Sequence, residues 1–263
     1  MMKRFNAVLF SLLLGSAAVS AQTLSGYDIM NKSDKVDEGK TSTYTATMTL
    51  TNAKGSIRVR DFIFYKKDFG DVKKSVIVFR SPKDVSGVGY LMWEYKEVDG
   101  KKKDSDDWLY MPAMKKVRRI SGSDSGGDFM GTDFTYDDIG DRGLTKDTFT
   151  LAGEENVEGV DCWKVECTAK KSDERNPRRF TWIRKDNYLV QKTVYYDRQN
   201  NIQRELVTSE IKQIDGIWTI CKMTMKNLST NHMTVIELKD IHYNRPMNDS
   251  IFTVASVERG AIK

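Results

Sequence analysis

Residues 123–127 read Ser-Asp-Ser-Gly-Gly, a serine set among glycines of the kind that can present a hydroxyl nucleophile for acyl transfer. Such a hydroxyl needs a base within hydrogen-bond reach, usually histidine. The chain holds only His232 and His242, both late in the sequence. The loop is low in complexity, so a hydrogen-bonding turn is the better reading of Ser125, and no catalytic residue is assigned. His232 and His242 stand near the two ends of one expected strand, roughly 30 Å apart at extended rise, too far to share a metal. Carboxylates gather at Asp104, Asp106 and Asp107 and again at Asp137, Asp138 and Asp141, without the spacing of a calcium-binding loop. They read as solvated loop charges. Cys162, Cys167 and Cys221 are an odd count. The first two sit on one strand at odd spacing and so point to opposite faces. A bridge from either to Cys221 and three buried free thiols both stay open. No metal and no cofactor is expected.

The chemistry that composition favours is the binding of apolar groups. The chain carries 12 Met, 11 Phe, 11 Tyr and 5 Trp, most of which must fill a core. Methionine adapts to irregular apolar ligands. The densest region runs from Asp106 to Ile139. Trp108 to Met111 is a short strand stopped by Pro112, which cannot donate to a ladder. Lys115, Lys116, Arg118 and Arg119 then crowd around Val117 and Ile120. Four positive charges within five positions repel one another unless something offsets them. The segment therefore serves either as a docking site for anionic lipid head groups or an acidic membrane partner, or as the solvated side of a strand, with Asp124, Asp128 and Asp133 as internal counter-charges. The Gly/Ser/Asp loop that follows carries Phe129, Met130, Phe134 and Tyr136. A plain surface connector would expose them, so they are expected to form a lid or rim over something hydrophobic.

Trp108–Ile120 (WLYMPAMKKVRRI) followed by Asp128–Ile139 (DFMGTDFTYDDI) resembles the signature of the LolA-like outer-membrane lipoprotein-sorting proteins, in the branch found with membrane exporters. The order and spacing from about Thr23 to the C-terminus are compatible with that family. The resemblance implies a half-barrel with a helical lid and a greasy cavity. It also implies acyl chains of lipoproteins or other envelope lipids as cargo, with an inner-membrane exporter and an outer-membrane acceptor as partners.

The elements that must position such a site follow from the residues themselves. Lys3 and Arg4, the apolar run from Ala7 to Leu14 and the small residues Val19-Ser20-Ala21 read as a secretory signal peptide spanning 1–21, cleaved after Ala21. The apolar run is too short to cross a bilayer, which takes about 20 residues. Residues 22–263 are read as a single domain, since no linker or repeat interrupts them. Without Lys3 and Arg4 the remaining charge is only slightly positive, which argues against nucleic acid as the main partner. Ser25, with Asp28 three residues on, opens a helix expected to reach about Asp37. Its apolar stripe is Tyr27, Met30 and Val36. Beyond it the period changes to two: Tyr44, Ala46, Met48 and Leu50 alternate with threonines. Short turns such as Asn52-Ala53-Lys54-Gly55 and Asp215-Gly216 then join strand after strand. The pattern gives a mainly β chain, an antiparallel meander of about eleven strands. Its twist and its exposed edges curl it into an incompletely closed barrel, with helices and the long loop as lid.

A barrel of that size outgrows its own side chains and encloses a cavity. The candidate lining residues are Tyr44, Met48, Leu50, Phe62, Phe64, Val76, Val78, Leu91, Trp93, Leu109 and Met111. A lipid tail gains on the order of 10 kcal/mol from burial in such a space, at about 0.8 kcal/mol per CH2, and needs no catalytic group. The expected function is thus a periplasmic, non-enzymatic carrier that moves acyl chains toward the outer membrane. The rival is an accessory subunit of an exporter that carries nothing.

Overall fold

A computed structural model describes residues 24–98, 101–122, 124–140, 142–259 and 262. The expected signal peptide and its cleavage site lie outside the described residues. Thirteen strands follow one another: β1 Thr41–Thr51, β2 Ile57–Asp68, β3 Val72–Ser81, β4 Gly89–Tyr95, β5 Asp106–Met111, β6 Lys116–Ile120, β7 Asp147–Val157, β8 Val160–Ala169, β9 Arg178–Arg184, β10 Val190–Tyr196, β11 Ile202–Ile214, β12 Ile217–Asn227 and β13 His232–Tyr243. All belong to one antiparallel sheet in the order β6-β5-β4-β3-β2-β1-β13-β12-β11-β10-β9-β8-β7. Every neighbour is a meander hairpin except one. β1 zips against β13, from Ser42↔Tyr243 to Thr51↔Met233, and this joins the two halves of the chain. β6 and β7 are the free edges, so the sheet stays open, and residues 121–146 bridge them. The expected count of about eleven strands becomes thirteen. Lys116–Ile120 settles as a strand, paired with β5 from Asp107↔Ile120 to Met111↔Lys116.

Strand alternation gives the sheet two covered faces. On the inner face the 121–146 segment packs over Met48, Phe62, Phe79 and Tyr90. Helix α1 (Gly26–Asp34) packs beside it over Val165, Cys167 and Ile183. On the outer face a 3-10 turn (Asp249–Phe252) and helix α3 (Val254–Glu258) bring Phe252, Val257 and Ile262 against Val76, Val78 and Leu91.

The capping box at α1 forms as its sequence predicts. Asp28 N–H donates to Ser25 Oγ at 3.1 Å, and Ser25 N–H donates to Asp28 Oδ2 at 3.0 Å. The helix is shorter than expected, and its anchor is a different residue. Ile29 is fully buried, whereas Tyr27 is 48% exposed. The reason is the close approach at Gly26, where an added Cβ would stand 2.7 Å from the backbone of Thr150 and Leu151 on β7. That contact sets the helix rotation. Cys162, Cys167 and Cys221 are all free and buried. Cys162 and Cys167 lie on β8, four places in the sheet order from Cys221 on β12, and burial pushes all three thiols up, Cys167 to about 11.

Gly26→Ala tests the packing of α1. Alanine is the better helix former, yet here its methyl must displace the helix, an overpacking cost of about 1–3 kcal/mol. The thermal midpoint is expected to fall by several degrees; an unchanged or raised midpoint would place α1 away from β7.

Candidate functional site

The curl of the sheet gives two ends. Turns 52–56, 82–88, 112–115, 197–201 and 228–231 mark the first; turns 69–71, 185–189 and 215–216, with linker 35–40, mark the second. The inner face is closed toward the first end and open toward the second. At the open end lies a cavity of about 420 Å³, within the ordinary range of ligand sites, roughly 300–1,000 Å³. Its wall includes Tyr44 of β1 and Phe64 of β2, stacked at 4.5 Å with 16° between the rings. Ile139, Leu189, Ile220 and Leu238 continue the apolar surface. The mouth is charged. Lys66 and Lys73 converge on Glu38 at 2.9 and 3.0 Å, with Asp37, Glu94, Trp218 and Tyr243 around them. Burial alone would raise the Glu38 carboxyl, but the two ammonium groups outweigh it and hold the carboxyl below its usual range. The site is amphiphilic, with an apolar wall under a polar opening.

The closed end is filled by the chain itself. Phe129 is fully buried and Phe134 nearly so, both packed into the inner face as part of the covering segment. Phe129 stacks among Phe79, Tyr90 and Tyr136 with ring centroids 5.3–6.1 Å apart. Met130 and Tyr136 are half-buried against the same cluster. Beneath this lid lie Met48, Leu50, Phe62 and Leu109, with Met111 at the margin, so these expected lining residues face the lid. Of the candidates, Tyr44 and Phe64 face the open cavity. Val76, Val78, Leu91 and Trp93 are a correction of register. They pack on the outer face under the C-terminal turns, because Ile77, Phe79, Tyr90 and Met92 are the inward residues of β3 and β4.

Polar contacts fasten the lid to the sheet. Helix α2 (Tyr136–Ile139) is capped by Thr135 in a capping box with Asp138. The Asp138 carboxylate accepts from Arg204 Nη1 at 2.5 Å, and the same nitrogen donates to the Asp133 carbonyl at 2.8 Å. Arg204, on β11, is 2% exposed, and its guanidinium also lies 4.3 Å over the Tyr195 ring. Asp133 Oδ2 meets His232 Nδ1 at 2.6 Å and accepts from the buried Thr234 hydroxyl at 2.7 Å. Arg60 Nη1 donates to the Met130 carbonyl at 2.7 Å, and Arg175 pairs with Asp128 at 2.5 Å. A second buried cluster closes the hinge into β7, where Arg142 and Arg179 both pair with Asp147. For Asp138 and Asp147 burial favours the neutral acid, but the adjoining guanidiniums and hydrogen bonds prevail and hold both carboxyls below the usual range. For Asp107, inside β5, burial prevails and pushes the carboxyl up.

The expected docking residues divide. Lys115 and Lys116 stand exposed at the β5–β6 tip. Arg118 pairs with Asp124 at 3.1 Å, and Arg119 with Asp106. Asp124 is thus a counter-charge for the basic segment, while Asp128 and Asp133 serve Arg175 and His232. The Ser125 hydroxyl donates to the Gly122 carbonyl at 2.9 Å, a turn contact. Among the described residues no group of three or more His, Cys, Asp or Glu is arranged to hold a metal. Sequence reasoning missed Arg204, Asp138, Glu38, Lys66 and Lys73. Lys66 and Arg204 carried a usable signal, each a charge at an inward position of an alternating strand.

An open, curled antiparallel sheet with a lid on its inner face and a cavity beside it is the architecture of the LolA-like class. A family model described as an uncharacterized protein matches residues 71–259. A DUF1329 family protein from Desulfovibrio piger is 35% identical, with 88% of this chain and 97% of that one covered and a TM-score of 0.81. A candidate outer membrane lipoprotein-sorting protein domain from Vibrio parahaemolyticus is 27% identical over 89% and 98%, also at 0.81. A LolA superfamily protein from Nitrosomonas europaea shares the fold at 16% identity and a TM-score of 0.67, over 89% and 99%. No match was found among curated proteins. The chain belongs to the DUF1329 family, whose fold is that of the LolA-like proteins.

Asp138→Ala removes one partner of a buried pair and leaves Arg204 uncompensated, a loss of about 3–5 kcal/mol. Denaturant unfolding measures it, and trypsin should cut faster at Arg142 and Lys146. Asp138 and Asp147 have depressed carboxyls, so their contribution is complete above the unfolded value of about 3.9 and is lost as pH falls through the folded values. The wild-type melting temperature should therefore be insensitive to both between pH 8 and pH 5 and drop below about pH 4.

Proposed function

We propose that the protein is a periplasmic carrier that binds acyl chains of lipoproteins or other envelope lipids, holds them on the inner face of the half-barrel and releases them toward the outer membrane. No catalytic step is assigned to it. The observation that carries this reading is the continuity of one apolar surface. It begins in the open cavity at Tyr44 and Phe64 and runs on beneath the lid through Phe62, Met48 and Ile236. On this reading Phe129 and Phe134 cover the part of the inner face that a bound chain would take. A tail entering at the Tyr44–Phe64 stack extends by displacing those rings. The polar contacts at Arg204, Arg60 and His232 keep the lid backbone in place while the rings swing aside, and the bound tail replaces the apolar contacts the rings made. Cargo affinity is therefore the difference between two burials of similar size, so binding is reversible, as a carrier requires. The lipoprotein-sorting description of the Vibrio parahaemolyticus relative supports the cargo class.

The test is lipid extracted from the purified protein and identified by mass spectrometry, together with uptake of a fluorescent fatty acyl probe. Phe64→Gln puts an amide on a half-buried wall residue and should reduce probe uptake about tenfold, with a melting temperature within a few degrees of wild type. Absence of both co-purified lipid and probe uptake would sink the carrier reading in favour of the accessory subunit.

A further inference from the structure

Exposed large apolar side chains are concentrated at one end of the described surface. Five of the eight, Ile57, Val59, Met114, Ile202 and Leu228, stand on or beside turns of the closed end and are 47% to 63% exposed. They are spread around that end of the curled sheet, since their strands run from the β5–β6 hairpin through β2 to β12 and β11. Lys54, Arg58, Lys83, Lys115, Lys116 and Lys226 are exposed at the same end and outnumber the exposed carboxylates Asp84, Asp128 and Asp173 there. The opposite end mixes signs: Asp37, Glu38, Asp71, Glu97 and Asp215 alternate with Lys40, Lys96 and Lys101. The molecule is thus polarised, with a basic, apolar-tipped rim at one end and the cavity mouth at the other.

We infer that the closed end docks on an anionic lipid bilayer, with the cavity mouth turned away from it. A plane is the one partner that turn tips distributed around a ring meet together. Isolated apolar tips flanked by lysine suit the interface, where the tip enters the head-group boundary and the ammonium groups face lipid phosphates. A compact acidic protein would engage one sector and leave the rest of the ring exposed. The inference does not depend on what the cavity holds, since it rests on side chains outside it.

The experiment is co-sedimentation of the mature chain with phosphatidylcholine vesicles containing about one quarter phosphatidylglycerol, against pure phosphatidylcholine. Binding is expected to the anionic vesicles alone and to be released by about 0.5 M salt, where exposed charges are screened. Lys115→Glu with Lys116→Glu should lower the bound fraction about tenfold, and Met114→Asp several-fold. Both alter exposed positions, so unchanged circular dichroism and melting will show that the fold is intact. An environment-sensitive label on Met114→Cys should shift to the blue on vesicles, while one on Lys101→Cys at the other end should not; the native cysteines are all buried. Equal binding to both vesicle types, or a shift at Lys101→Cys, would overturn the orientation. No binding at low salt would overturn the inference and leave the basic rim to an acidic protein. Loss of acyl-probe uptake with vesicle binding retained would count against the carrier reading alone.

Discussion

The guanidinium of Arg204 carries a full charge at a position only 2% exposed. Such a group is tolerable only where carboxylates and carbonyls surround it, since an isolated buried ion costs far more than a fold can supply. Its neighbours Asp138 and the Asp133 carbonyl come from the lid, and Asn176 Oδ1 comes from the β8–β9 turn. Sheet, lid and turn therefore meet at one ion. The lid holds its place because leaving it would strand that charge, and burial of the charge is tolerated because the lid is there. A contact of this kind specifies a position more than it stabilises one, for an apolar replacement of the whole set could be as stable.

That fastening matters because the sheet is open. Thirteen strands with two unpaired edges present one long inner face, and water must be kept from it. The chain covers it with two unlike pieces. Helix α1 is held by close backbone packing at Gly26 and by the fully buried Ile29. The 121–146 segment is held by aromatic stacking under a polar layer. Between them the cover is incomplete, and the gap is the cavity with Glu38, Lys66 and Lys73 at its mouth.

The polarity of the molecule follows from the same meander. Because each strand reverses the last, every second turn comes to the same end. Alternate turns of the sequence therefore sort into two populations, and the basic and apolar tips fall together without being adjacent in the chain. The segment Lys115–Arg119 shows the division on a small scale. Its hairpin tip keeps two exposed lysines, while the two arginines further along β6 are held by Asp124 and Asp106.

Alternation, turn residues and the capping pair Ser25–Asp28 determined the mainly β architecture, the antiparallel meander and the first helix, because these depend on residues a few positions apart. The density of aromatics after Pro112 also announced that residues 121–146 cover something apolar. Which face each strand turns inward was decided only in the folded sheet. Val76, Val78, Leu91 and Trp93 alternate as regularly as Ile77, Phe79, Tyr90 and Met92, and both faces of β3 and β4 are buried, so polarity could not tell them apart. Nor could spacing pair Asp138 with Arg204, 66 positions away, or bring Lys66 and Lys73 to Glu38. Local sequence fixes period and turns, whereas the meeting of distant charges depends on strand register and on the curl that brings the β6 and β7 edges under one lid.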